Sequence, residues 1–189
     1  MYPLNRNRRL RSKESLRNLI TEYRLHPHDF IAPLFVVEGK NIKDPINSLP
    51  GYYRMSIDNL KKEVKSLWRL GIQAVLLFPK IDDKLKDNFG TEALNPNGLI
   101  QRAVKEIKNL IPEITIISDV ALDPYSIYGH DGVVKKNKII NDETNKVLSE
   151  MALSHASCGV DIVAPSDMMD GRVFSIRKIL EENNFFDIA

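Results

Sequence analysis

Ile72-Gln-Ala-Val-Leu-Leu-Phe78 is apolar at every position but one. A short run without polar alternation reads as a strand covered on both faces, the habit of parallel sheets. Three further runs share its character: Ile31-Ala-Pro-Leu-Phe-Val-Val37, Ile114-Thr-Ile-Ile-Ser-Asp-Val120 and Val160-Asp-Ile-Val-Ala164. Pro33 has no amide donor for a central ladder, so the first strand is expected to be short or irregular there.

Between these runs the apolar spacing becomes helical. Ile57, Leu60, Val64 and Leu67 fall on one face, with Ser56 as N-cap and Gly71 as stop. Ile100, Ala103, Val104 and Ile107 repeat the pattern before Pro112, and Val147, Leu148, Met151, Ala152 and His155 form a third stripe. Ile176, Ile179 and Leu180 mark a fourth helix that runs out near Asn183-Asn184. Strand starts at 31, 72, 114 and 160 are 41, 42 and 46 residues apart. A strand–helix unit at nearly constant pitch implies right-handed βα crossovers and an α/β sheet. Pitch alone leaves a doubly wound sheet and a (β/α)₈ barrel both open. The stretch 38–54, rich in Asn, Asp, Pro and Gly, reads as one long loop on the functional side.

The 189 residues are 43% hydrophobic and 28% charged, which excludes a disordered or collagen-like chain. No apolar run reaches the ~18–20 residues of a membrane span, so no membrane partner is expected. One cysteine, Cys158, offers no internal disulfide and reads as an inert packing group. The opening residues lack an apolar signal core, which points to the cytoplasm. The first 24 residues carry seven basic and two acidic groups, while the remainder is slightly acidic. A nucleic-acid reader carries its charge on the folded body, so none is expected; the basic segment suits an arm lying on a partner subunit.

In α/β folds the chemistry collects at the carboxyl ends of the strands. Phosphate-binding glycine motifs are absent there. Asp119 stands inside an apolar strand, either as a structural carboxylate for the next loop or as a pocket group at the sheet's mouth. Ser166 and Asp167 read, alone, as caps of the following helix. Lys80 reads as a solvated loop lysine rather than a nucleophile. Asp123, His130 and Asp131 form an oxygen-rich cluster that suits a hard cation, although turns commonly hold Asp for conformational reasons.

The run Ser118-Asp-Val-Ala-Leu-Asp-Pro-Tyr-Ser-Ile-Tyr-Gly-His-Asp-Gly132 resembles the metal-loop signature of the delta-aminolevulinic acid dehydratase (porphobilinogen synthase) family. So do Asp161-Ile-Val-Ala-Pro-Ser-Asp-Met-Met-Asp-Gly-Arg-Val173, Arg8-Arg-Leu-Arg11, Pro33-Leu-Phe-Val36, Leu49-Pro-Gly51, Lys86-Asp-Asn-Phe-Gly-Thr-Glu-Ala93 and Asn141-Asp-Glu-Thr144. They occur in the family's order and spacing from about residue 6 to the last residue.

The resemblance implies the first half, about four βα units, of a TIM (β/α)₈ barrel. Residues 1–28 would be a basic N-terminal arm with a short helix, and 29–189 the partial barrel. It also implies a lyase of heme and other tetrapyrrole biosynthesis. Two molecules of 5-aminolevulinate condense to porphobilinogen with loss of two waters, and two lysines form Schiff bases with the substrate ketones. The arm implies a homo-oligomer, an octamer in the family. Asp119 matches the active-site acid/base position and Ser166 a catalytic, substrate-contacting one, whereas Lys80 matches no Schiff-base position. Tyr125, His130, Asp167 and Arg172 fall in the matching motifs as loop-ordering or pocket-support groups.

Zinc-dependent members carry three cysteines at the positions held here by Ala121, Asp123 and Asp131. Asp123 and Asp131 are thus the implied metal ligands, Ala121 cannot bind, and Mg²⁺ or K⁺ is expected rather than zinc. The chain stops at Phe185-Phe-Asp-Ile-Ala189, before the strand that would carry the first Schiff-base lysine. It is therefore expected to be inactive alone, with open edges where a closed barrel has none. The rival expectation is a non-catalytic interaction or assembly fragment of the same family. A small, self-sufficient doubly wound binding domain is a third.

Overall fold

All four apolar runs become strands, and each following stripe becomes a helix. The computed structural model describes residues 1–189. None of the first 30 residues is buried; they hold a 3₁₀ turn at Asn7–Arg11 and the short helix α1 (Glu14–Leu19). Then follow β1 (Ile31–Val37), β2 (Lys43–Pro45), β3 (Tyr53–Met55), α2 (Ile57–Arg69), β4 (Ala74–Lys80), α3 (Leu99–Leu110) and β5 (Thr115–Val120). The chain closes with β6 (Val134–Lys135), β7 (Lys138–Ile139), α4 (Asn141–Cys158), β8 (Ile162–Pro165) and α5 (Arg172–Glu182).

The main sheet has the order β2-β3-β1-β4-β5-β8, and only β2 is antiparallel to its neighbour. A small antiparallel hairpin, β6-β7, stands apart. The consecutive parallel neighbours β1-β4-β5-β8, each joined by a helix, are the βα units that the pitch implied.

Several expectations need correction. The stretch 38–54 is not one loop, because β2 and β3 form within it and β3 pairs with β1 at Phe35 and Val36. The strand expected to start at Ile72 begins at Ala74 and runs through Lys80. Despite Pro33, β1 pairs with β4 over all seven residues. Pro33 lies where β1 has a neighbour on one side only, so its missing donor leaves the ladder intact. Ser56 sits at the N-cap of α2, but its hydroxyl makes no cap bond. It accepts from Ile42 N (2.8 Å) and donates to Asp58 Oδ1 (2.6 Å), tying the helix start to the hairpin. Gly71 does stop α2, at φ +86°, the left-handed region open to glycine.

The continuous apolar runs suggested burial on both faces, but the faces differ. Val75, Leu77, Ile116 and Val163 are buried beneath the helices. They meet Leu60 and Val64 of α2, Ile100, Ala103, Val104 and Ile107 of α3, and Leu148, Met151 and Ala152 of α4 in one core. Each such Val, Leu, Ile or Met side chain stabilises the fold by about 1.5–3 kcal/mol. Ala74, Leu76, Phe78, Ile162 and Ala164, on the other face, are only half-buried.

The strand starts are tied by one polar clamp. Asp161, just before β8, accepts from Ile116 N (2.7 Å) and from Lys108 Nζ (2.7 Å), and Lys108 also donates to Ile114 O (2.9 Å). At the outer edge of β8, Val163 N donates to Ala189 O (2.9 Å) and Ala189 N to Asp161 O (3.1 Å), so residue 189 lies against β8.

Candidate active site at the carboxyl ends of the strands

β5 and β8 pair as Asp119 opposite Ala164 and Val120 opposite Pro165, so the residue after β8 lies close to Asp119. Ser166 Oγ donates to Asp119 Oδ1 at 2.5 Å, joining residues 47 apart in sequence. The side chains of Ser118 and Asp119 face opposite sides of the strand. Ser118 meets the buried ring of His155 on α4, Oγ to Nδ1 3.0 Å, while Asp119 faces the mouth. Burial is the main cause that raises the Asp119 pKa from 3.8 to about 6. Repulsion from Asp123, Asp131 and Asp167 adds to it, and the Ser166 hydrogen bond opposes it.

The loop after β5 brings Asp123 and Asp131 together, with Asp123 N donating to Asp131 Oδ1 (3.4 Å). Burial first and Asp131 second raise the Asp123 carboxyl above the ordinary range. Tyr125 is buried, its carbonyl accepting from Asp87 N (3.2 Å). Loop ordering is the role that geometry gives it. His130 is exposed and stacks on Tyr128, with ring centroids 6.0 Å apart, which takes it out of the carboxylate pair.

The cap reading of Ser166 and Asp167 fails, because α5 begins only at Arg172. Asp167 is instead a buried brace: its Oδ1 accepts from Met169 N (2.7 Å) and its Oδ2 pairs with Arg172 Nε (3.1 Å), while Arg172 Nη1 donates to Met169 O (2.9 Å). Burial raises its pKa although Arg172 pulls it down. Lys80 is exposed, in a shallow cavity with Arg54, Lys86 and Asp123. Cys158 is half-buried, and burial pushes its thiol up, in keeping with a packing group. A mainly apolar cavity lies elsewhere, between β1 and β3, lined by Ile31, Tyr52, Leu67 and Ile72 among others.

Side chains given no role from sequence also hold the site. Asn88 bonds Val134 at both ends, Nδ2 to O 3.0 Å and N to Oδ1 2.9 Å. Thr144 Oγ1 accepts from Val133 N (2.9 Å), and Asn141 and Asn145 both donate to Asp170 O. Their signal was position: Asn88, Asn141 and Thr144 sit inside quoted motifs, but nothing in a single sequence says what an amide or hydroxyl grips.

A family profile described as Delta-aminolevulinic acid dehydratase matches residues 4–189. The chain belongs to the delta-aminolevulinic acid dehydratase family. It is 47% identical over 180 residues to a delta-aminolevulinic acid dehydratase of Chlamydia pneumoniae, covering 95% of this chain and 54% of that protein. With one from Methanothermus sociabilis it shares 48% over 187 residues, covering 99% and 58%. The crystal structure of delta-aminolevulinic acid dehydratase (porphobilinogen synthase) from Toxoplasma gondii ME49, in complex with the reaction product porphobilinogen, superposes with TM-score 0.94 at 44% identity. That match covers 97% of this chain and 52% of the other, so the fold is the corresponding half of that family's TIM barrel. The chain spans little more than half the length of these relatives.

No three His, Cys, Asp or Glu side chains converge closely enough to form a ligand group. What the loop offers is two neighbouring carboxylates, Asp131 accepting from the backbone amide of Asp123 and raising the pKa of its carboxyl. That set fits a hard cation that keeps part of its water and does not fit a thiolate-bound zinc. No helix is long and apolar enough to cross a membrane.

Proposed function

We propose that this chain supplies the Asp119–Ser166 half of a porphobilinogen synthase, which condenses two 5-aminolevulinate molecules to porphobilinogen with loss of two waters. The observation that carries the reading is the Asp119–Ser166 hydrogen bond, on a carboxyl whose pKa stands at about 6. A group at that pKa both takes and returns a proton near neutrality, as carbon–carbon and carbon–nitrogen bond formation with two dehydrations requires. Ser166 fixes the accepting oxygen and offers its own lone pairs to substrate. The charged groups acting most strongly on Asp119 are the carboxylates of Asp123, Asp131 and Asp167.

Asp123 and Asp131 would hold a Mg²⁺ or K⁺ ion, whose chemistry there is to neutralise the two carboxylates and stabilise developing negative charge. The exposed Leu4, Leu10, Leu19, Tyr23 and Leu25 among the basic residues of the first 24 or so support an arm seated on a neighbouring subunit of a homo-oligomer. We place the enzyme in the cytoplasm, in heme biosynthesis.

The test is porphobilinogen formation by the intact enzyme containing this sequence, with Asp119→Asn and Ser166→Ala. Asn should abolish turnover and Ala should lower it; full activity of the Asn variant refutes the assignment. Residues 1–189 alone should form no porphobilinogen. Removing Mg²⁺ or K⁺ should lower activity, whereas a zinc-selective chelator should not.

A further inference from the structure

The loop with the carboxylate pair and the loop with Ser166 meet over one turn of α4. Asn141 grips Asp170 of the second loop at both its backbone polar groups, accepting from Asp170 N (2.8 Å) and donating to Asp170 O (3.1 Å). Asn145, buried one turn later, donates to the same carbonyl at 2.6 Å. Between them in sequence, Thr144 takes the first loop through Val133 N (2.9 Å) and anchors its own hydroxyl on Ile140 O (2.6 Å). Ile140 N then donates to Val133 O (2.9 Å), so Val133 is held at both its polar groups. The loops also meet directly: a Cβ on Gly132 would stand 3.3 Å from Met169 Cε and 2.5 Å from Ile139 Cγ2. Met169 is the residue whose amide Asp167 holds, three positions beyond Ser166.

We infer that Asn141, Thr144 and Asn145 are positioning residues that couple the two loops, so that order in the loop of Asp123 and Asp131 is passed to the loop that presents Ser166 to Asp119. Three features support coupling rather than two separate anchors. The three side chains lie within five residues of one rigid helix, the helix start is free of any side-chain cap of its own, and the loops are in direct contact, so that a Cβ on Gly132 would press on Met169 Cε. A displaced Thr144 moves the helix turn that holds Asp170. The buried Thr144 hydroxyl and Asn145 amide cost more to leave unpaired than they contribute when paired, so the junction holds as a unit. The structural part of this inference is independent of the proposed reaction; its effect on turnover rests on that reading.

Amide hydrogen exchange on the whole 189-residue chain tests it. Thr144→Val keeps the shape and removes the hydroxyl, and should speed exchange at Val133 about tenfold. It should also speed Met169 and Asp170, which Thr144 does not touch. Asn141→Ala should speed Asp170 and, across the junction, Val133. Thr144→Ser restores the hydroxyl and should return both loops to slow exchange, with β5 amides unchanged throughout. Substitutions that loosen only their own loop, or that speed β5 equally, overturn the coupling. If Thr144→Val does not fold, Asn141→Ala against Thr144→Ser decides the matter by the same two amides. In the intact enzyme, Thr144→Val should lower kcat about tenfold at nearly constant KM. Cross-loop loosening without any porphobilinogen formation by the unaltered enzyme would leave the coupling standing and sink the reaction assignment instead.

Discussion

Replacing Asp119 by Asn should stabilise the fold at pH 8 while it removes the proposed acid/base group. The ordinary carboxyl pKa is 3.8, and Asp119 in the folded chain stands at about 6. Between those values the folded state keeps a proton that the unfolded state has released. The folded state thus binds more protons, and stability must fall as pH rises through that window. The gap of about 2 units corresponds to about 3 kcal/mol at ~1.4 kcal/mol per unit. Solvent reaches part of the mouth and screens the charge, so about 1–3 kcal/mol is expected. Asn carries no charge to desolvate, and its side-chain oxygen still accepts from Ser166. Urea or thermal unfolding at pH 4 and pH 8 reads the difference between variant and parent, in which all other titrations cancel. It should be near zero at pH 4 and about 1–3 kcal/mol in favour of Asn at pH 8, where roughly 2–4 °C of Tm accompanies each kcal/mol. An Asn variant no more stable than the parent at pH 8, or a difference that does not grow with pH, refutes the reasoning.

Ser166→Ala removes the bond that holds the Asp119 carboxylate down, so its pKa should climb above about 6. A charge-assisted bond is worth about 1.5–3 kcal/mol, which makes that climb roughly 1 unit or more by carboxyl ¹³C titration. His155 is fully buried and its pKa is lowered by burial from 6.5 to about 4. The unfolded chain therefore takes up a proton first as the pH falls, and stability is lost from about pH 6.5 down to about 4, by about 3 kcal/mol in all. His155→Gln should flatten that acid limb in denaturant titrations. Asp161→Ala strands Ile116 N and Lys108 Nζ, and should cost about 1–2 kcal/mol in urea unfolding, the low side because both side chains are partly exposed.

The strand–helix alternation was legible because apolar runs and helical stripes differ in period, and the strand runs all fell within a few residues of their observed places. The hairpin of β2 and β3 was not, since three-residue strands such as Lys43–Pro45 carry no periodicity to read. Continuous apolar strands suggested two covered faces, but an apolar run reads the same when one face is only half-covered, as Leu76 and Ile162 show. Asp119 stood out as a carboxylate in an apolar run, and the resemblance added Ser166; their 2.5 Å contact depends on the register of β5 against β8, which no single strand specifies. The caps expected at Ser166 and Asp167 failed because α5 starts after a brace that only tertiary contacts reveal. Asn145 went unnoticed for the same reason: a buried amide on a helix looks like any other polar residue until its partner is known.

Neighbouring residues 118 and 119 serve opposite sides of one strand, a hydroxyl against an imidazole behind and a carboxyl at the mouth. The chemistry of this strand is therefore written in parity. Sliding β5 by a single position would exchange the two, setting a carboxylate against the core and leaving an alcohol at the mouth where the proposed acid/base carboxyl stands. One insertion upstream of Ser118 would thus undo foldability and the proposed reactivity in a single stroke, so neither can drift in this strand without the other.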